Sequence, residues 1–202
     1  MGTNLVFTDD EINIVTNADF LIQKRLISEK IVSFLSVLSN DIEQLLLQFK
    51  SRLPDEVVSL KPKISRGENY EHLPYIILDY PRVFTPEHVF AFRTLFHWAN
   101  NFSCTVQLSG KYLQAFRSSL NTFILSGNNF YVGINDDEWQ HHFRPDNYCK
   151  VNKVKGDEKL LKQVLTNQHY FKAAVKFTLK DSEKVNNGAL NFYQHFLDHY
   201  CN

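Results

Sequence analysis

The sequence predicts an α+β fold: a mostly antiparallel sheet, helices packed on its aromatic face, and a long N-terminal helix. Three observations carry this. Apolar residues in the first quarter of the chain recur at helical spacing, and residues 89–109 alternate with period two around a short turn. The later order of helices and strands also lacks the strict βαβ alternation of a parallel sheet.

The elements follow in order. Thr8-Asp9-Asp10-Glu11 has capping-box spacing and opens a short helix to about Val15. From Asn17 or Asp19, Ile27, Ile31, Phe34, Leu38, Ile42, Leu45 and Phe49 form one helical stripe through Lys50. Ser39-Asn40-Asp41 are poor helix formers, so a kink or break is expected there. Pro54 and Pro62 bracket a connector with an extended piece near Glu56–Leu60, and Leu73–Tyr80 reads as a strand closed by Pro81. Thr85-Pro86-Glu87 reads as one helical turn before the next strand.

Val89–Trp98 and Phe102–Ser109 then make a hairpin around Ala99-Asn100-Asn101. One face carries Phe90, Phe92, Thr94, Phe96, Trp98, Phe102, Cys104, Val106 and Leu108; the other carries Arg93, His97, Ser103, Thr105 and Gln107. Mirror pairing sets His97 opposite Ser103 and Arg93 opposite Gln107. After Gly110 a helix with Tyr112, Leu113, Phe116, Leu120, Phe123 and Ile124 on one face runs to Gly127. Next come a strand at Phe130–Asn135, a short helix from Asp136 to about Arg144, an extended piece at Tyr148–Val154 and a helix at Asp157–Leu165. Tyr170–Lys180 alternates, with Phe171, Ala173, Val175, Phe177 and Leu179 inward and Lys172, Lys176 and Lys180 outward. A final helix presents Leu190, Tyr193, Phe196, Leu197 and Tyr200. Residues 1–202 read as a single domain, a helical element at about 8–50 packed on a body at 55–202.

Composition narrows the function classes. The chain has 202 residues, 44% of them hydrophobic, and 22 basic residues balance 22 acidic ones. A zero net charge gives no reason to expect a nucleic-acid partner. No apolar run reaches the ~18 residues of a membrane span, and the N-terminus lacks a signal-peptide layout. Cys104, Cys149 and Cys201 are odd in number and far apart, which fits a reduced, cytoplasmic protein.

Candidate chemistry centres on the polar sheet face. Asp79 shares its strand face with Tyr75 and Ile77 and is expected near Arg93. A cation, an imidazole that titrates near neutrality, and the hydroxyl and amide of Thr105 and Gln107 suit an anionic or carboxylate-bearing ligand. The bland alternative is a solvated outer face with cross-strand polar pairs. Arg66 lies in the loop Arg66-Gly67-Glu68-Asn69, where Lys61, Lys63 and Arg82 could complete a basic rim, or Arg66 could simply pair with Glu68 or Asp79. His141-His142 and the i, i+4 pair His195/His199 are metal candidates without a matching third ligand, and are expected to be surface or half-buried imidazoles. Tyr170, His169 and the lysine ladder at 172, 176 and 180 could contact RNA, but an alternating lysine strand more often guards a sheet edge. No nucleophile motif, metal set or cofactor fingerprint is present, so no cofactor is implied.

The motifs ISRGENY (Ile64–Tyr70), LPY-(x)3-DYPR (Leu73–Arg82) and FRT-(x)3-W (Phe92–Trp98) resemble those of a family of small uncharacterised bacterial proteins. The resemblance implies a single domain over most of the chain and no activity or site residue.

The leading expectation is a non-catalytic cytoplasmic domain binding a partner or small anionic ligand through Asp79, Arg93, His97, Thr105 and Gln107, with Arg66 at the rim. The rival is a small hydrolase- or lyase-type enzyme with His97 as acid/base, Asp79 orienting it, and Arg66 or Arg93 holding an anion. A deep pocket with Asp79 in reach of His97 would favour the rival. A third expectation is that the long N-terminal helix serves homo-oligomerisation.

Overall fold

The computed structural model describes residues 4–202. Its N-terminal arm begins with α1 (Asp9–Val15), where Thr8 and Glu11 close the expected capping box. Helix α2 (Ala18–Gln48) starts at an Asn17 cap and runs unbroken through Ser39-Asn40-Asp41. The break does not occur because Leu38 and Ile42 on either side are buried in the core, and the Ser39 hydroxyl is satisfied by the Ser36 carbonyl (2.7 Å). Burial along α2 begins only at Leu35.

The connector forms the short helix α3 (Asp55–Ser59) rather than the expected extended piece, with Val57 as its buried anchor. Seven antiparallel strands follow, in the spatial order β1 (Lys63–Tyr70), β2 (Leu73–Phe84), β3 (Val89–His97), β4 (Asn101–Ser109), β7 (Tyr170–Thr178), β5 (Tyr131–Gly133) and β6 (Tyr148–Lys150). The stretch expected as a loop around Arg66 is edge strand β1 (Lys63–Tyr70), paired with β2 (Leu73–Phe84). Their two-residue turn, Glu71-His72, has φ of 50° and 66°, the left-handed pair of a type I′ hairpin. Strand β2 continues past the cis Tyr80–Pro81 bond, with a bulge between Asp79 and Arg82. Thr85–His88 is a turn without helix, held by the Thr85 hydroxyl on the His88 N–H (2.9 Å).

Strands β3 (Val89–His97) and β4 (Asn101–Ser109) form the expected hairpin, but their register differs by two residues. His97 pairs with Asn101 and Arg93 with Thr105, because the turn is Trp98-Ala99-Asn100 with Ala99 at φ 56°. A shift of two preserves every face. Helix α4 (Gly110–Ser126) follows directly, and Gly110 makes the junction at φ 53°. Then come β5 (Tyr131–Gly133), β6 (Tyr148–Lys150), α5 (Val151–Gly156), α6 (Glu158–Thr166), β7 (Tyr170–Thr178), a 3-10 turn at Leu179–Lys184 and α7 (Val185–Tyr200). Between β5 and β6 the chain is irregular from Ile134 to Asn147, not the short helix expected after Asp136.

The two sheet faces are covered differently. Helices α2, α4 and α7 pack on the aromatic face, where Phe90, Phe92, Phe116, Phe123 and Phe196 are fully buried. Phe92 stacks on Tyr193 with centroids 4.3 Å apart, and the Tyr193 hydroxyl reaches Thr94 at 3.1 Å. Each such ring contributes about 2–3 kcal/mol through burial. The opposite, polar face is covered by the irregular 134–147 segment. Among the described residues no helix is long and apolar enough to cross a membrane.

Candidate functional site

The covering segment turns the polar face into a buried polar layer. Asp79, His97, Ser103, Thr105 and Gln107 are all buried, so the solvated-face reading does not hold. The segment keeps its shape through side-chain caps: Asp137 accepts from the Trp139 N–H (2.9 Å), and buried Asn147 donates to the Gln140 and His142 carbonyls (3.1 and 2.6 Å). Such local bonds to the backbone stand in for a helix ladder.

Five of the six expected site residues share this face. Register places Asp79 opposite Arg93, and the guanidinium grips the carboxylate at two points, Nε–Oδ1 2.7 Å and Nη2–Oδ2 3.0 Å. Arg93 Nη1 then donates to Nε2 of His141 (2.8 Å), and the His141 backbone N–H donates to the Tyr70 hydroxyl (2.7 Å). Gln107 donates to Glu138 of the covering segment (2.9 Å), while Thr105 lies beneath, between Arg93 and Ala174 in the register. Arg66 is the exception. It pairs in register with Ile76 on the other face of the sheet and is exposed, because successive residues of β1 point to opposite faces. Glu68, its expected partner, bonds Lys24 of α2 instead (3.2 Å).

The proposed Asp79–His97 dyad is not assembled. His97 lies opposite Tyr75, four residues along β3 from Arg93, and its Nε2 donates to the Tyr70 carbonyl (3.0 Å). Its Nδ1 accepts from the Asn100 amide at 3.2 Å. Both ring nitrogens of His97, like both oxygens of Asp79, are occupied within the fold.

Two buried groups here escaped the sequence reading. Lys172 was expected to point outward from an edge strand, yet β7 lies between β4 and β5 and Lys172 is 0% exposed. Its ammonium donates to the carbonyls of Glu138 (2.9 Å) and Gln140 (2.5 Å) and lies over the Tyr148 and Tyr170 rings. Space for it exists because Gly133 faces it in register; a Cβ there would meet the Lys172 Cε at 3.0 Å. Burial pulls its pKa down to about 8. His141 was expected at the surface but is 8% exposed, and burial, reinforced by Arg93, lowers its pKa well below the usual imidazole value. His141 is therefore neutral. Since Nε2 accepts from Arg93, Nδ1 carries the hydrogen, and that buried N–H has no acceptor within the fold. His142 Nδ1 is buried without a hydrogen bond, the Asp146 carboxylate standing 4.0 Å away, and burial followed by Arg144 lowers that ring's pKa.

Two clefts open beside the expected site residues. The smaller, about 210 Å³, lies at the Arg93–Asp79 pair beside Lys63, Arg82 and Trp139. The larger, about 400 Å³, is lined by His97, His141, His142, Arg144 and Lys176, with Asn100 and Asn101 at one side and Glu71 as its one carboxylate. Arg144 is bonded to Glu71, and Lys176 lies over the Phe143 ring. The left-handed Glu71-His72 turn forms part of the wall, so backbone strain sits beside the cleft. On α7, His195 and His199 share the Ser126 hydroxyl (3.4 and 3.1 Å) rather than a metal set. Among the described residues no three His, Cys, Asp or Glu side chains gather to hold a metal ion.

Comparison with protein-family models, with curated proteins and with solved structures yields no match. The local chemistry of the cleft therefore carries the functional reading.

Proposed function

We propose that this chain is a binding domain that takes a small oxyanion, phosphate or carboxylate, in the cleft between His97 and Arg144. The observation that carries the reading is the unsatisfied Nδ1–H of neutral His141 at a cleft bordered by two permanent cations. A buried donor without an acceptor costs about 1–3 kcal/mol, which an incoming oxygen would recover. Lys176 offers an oxyanion a cation with no carboxylate on it, while Arg144 lies between Glu71 in the lining and Asp146 beside it, 4.0 Å from its Nε. A bound oxyanion would compete with Glu71 for the Arg144 guanidinium. Binding is favoured over catalysis because Asp79 is held by Arg93, and His97 by Tyr70 and Asn100.

Thermal denaturation in phosphate, sulfate and citrate series tests this. At ten times the dissociation constant, a single site raises stability by about 1.4 kcal/mol, a shift of roughly 3–5 °C for a domain of this size. The expected result is a saturable rise that is lost in Arg144→Ala and Lys176→Ala. Both side chains are exposed, so the variants retain the fold. Equal shifts in wild type and both variants would remove the cleft as the binding site.

A further inference from the structure

We infer that a second copy of this chain covers the N-terminal arm, in a two-fold antiparallel pairing of α1 and the first half of α2. The inference rests on residues remote from the cleft. Of 17 large hydrophobic side chains exposed among the described residues, eleven lie between Leu5 and Ile27. Helix α1 buries nothing, and α2 buries nothing before Leu35, so Ala18–Phe34 runs about 25 Å without a buried residue. Helices of this length draw most of their stability from packing an apolar face, and within one copy this arm reaches the core only at its end, through the partly buried Ile31, Val32 and Phe34. Phe20 and Ile27 lead along α2 into a groove of about 520 Å³ lined by Ile31, Phe34, Phe96, Trp98 and Phe102.

Area and charge both favour a second copy. The eight of those side chains that lie on α1 and α2 expose on the order of 800 Å² in each copy, comparable to the roughly 800 Å² per partner of a standard interface. The arm is acidic at its start (Asp9, Asp10, Glu11, Asp19) and carries three cations further on (Lys24, Arg25, Lys30) with one acid, Glu29, 3.8 Å from Arg25. A two-fold axis at Ile22 brings Asp19 level with Arg25 of the second copy. An isologous interface needs this self-complementarity. A membrane surface suits the arm poorly, since helices that lie on bilayers carry basic polar faces and α1 carries acidic residues in its first turn.

Sedimentation equilibrium on the full chain is the test. A dimer is expected, and the exposed substitutions Phe20→Glu with Leu26→Glu should weaken its dissociation constant at least 100-fold without changing the circular dichroism of the body. Asp19→Lys and Arg25→Glu should each weaken the dimer, and the double variant should restore it. A monomer at about 100 μM, a dimer indifferent to Phe20→Glu with Leu26→Glu, or a double charge variant no tighter than the singles would overturn the pairing. So would a monomer that cosediments with phosphatidylcholine–phosphatidylserine vesicles.

Discussion

Removing the Lys172 ammonium should change how stability depends on pH, by an amount the structure sets. Burial lowers the Lys172 pKa from 10.5 to about 8, a difference worth about 3 kcal/mol. The lowered value means that the folded state sheds the proton first as pH rises. Between pH 8 and 10.5 the unfolded chain binds more protons, so stability climbs with pH; below pH 8 both states are charged and the penalty stays constant. Other groups act in the opposite sense. Burial raises Cys104 to about 12 and pushes the Tyr148 phenol up as well, so both favour unfolding as the solution becomes alkaline. Comparing wild type with Lys172→Met cancels those shared contributions. Urea denaturation at a series of pH values should show the wild type gaining about 2 kcal/mol on the variant between pH 7.5 and pH 10. The absolute offset also includes the Glu138 and Gln140 carbonyls left without their donor, so the slope is the diagnostic quantity. Parallel pH curves for the two proteins would refute a charged, desolvated ammonium beneath the covering segment.

Other substitutions probe the layers around it. Asp79→Ala leaves the largely buried Arg93 guanidinium beside a neutral imidazole and should cost about 3 kcal/mol by chemical denaturation; a loss below ~1 kcal/mol would mean that solvent screens the pair. Gly110→Ala should cost about 2 kcal/mol or more, because φ is +53° and the new Cβ would lie 2.2 Å from the Glu87 carbonyl; a neutral result in thermal unfolding would contradict that junction. His72→Gly should stabilise by about 0.5–1 kcal/mol, relieving the φ of 66° in the β1–β2 turn, and a destabilised variant would argue against a left-handed turn.

What the sequence revealed and what it concealed have separate physical causes. Face assignment in β3 and β4 depends only on a period of two, so Phe90, Phe92, Phe96 and Arg93, Thr105, Gln107 fell on the right sides even with the register misplaced by two. That register was misread because the left-handed turn residue is Ala99, while the neighbouring asparagines are the residues that tolerate such φ values. Strand β1 went unseen for a similar reason: its hairpin turns on Glu71-His72, which carry no Asn-Gly signal. The stripe from Ile27 to Phe49 is so strongly periodic that α2 was plain, and the helix bridges the poor formers at 39–41 because Leu38 and Ile42 are buried on either side.

The candidate site was half legible. Asp79, His97, Thr105 and Gln107 are buried in one layer with half-buried Arg93 on the same face, and the Arg93–Asp79 pair follows from their register. Arg66 fell outside because the β1 strand that turns it to the other face was itself unrecognised. Nothing local marks Lys172 as buried, since alternating lysines on an exposed strand look the same; its burial depends on the distant 134–147 segment and on Gly133 across the sheet. The one available signal was the segment itself, DEWQHHFRPDNY, where Trp, His, Arg and Asn crowd a stretch without periodicity. Such polar and aromatic density suits a cover that must satisfy the strands beneath it.

The claim that the cleft binds an oxyanion is tested most directly by titrating inorganic phosphate while recording the imidazole ¹⁵N–¹H resonances. The His141 and His142 ring signals should move together along one saturable curve, and Arg144→Ala should flatten it. Ring signals that stay fixed while phosphate is added, or movement confined to His195 and His199, would contradict it.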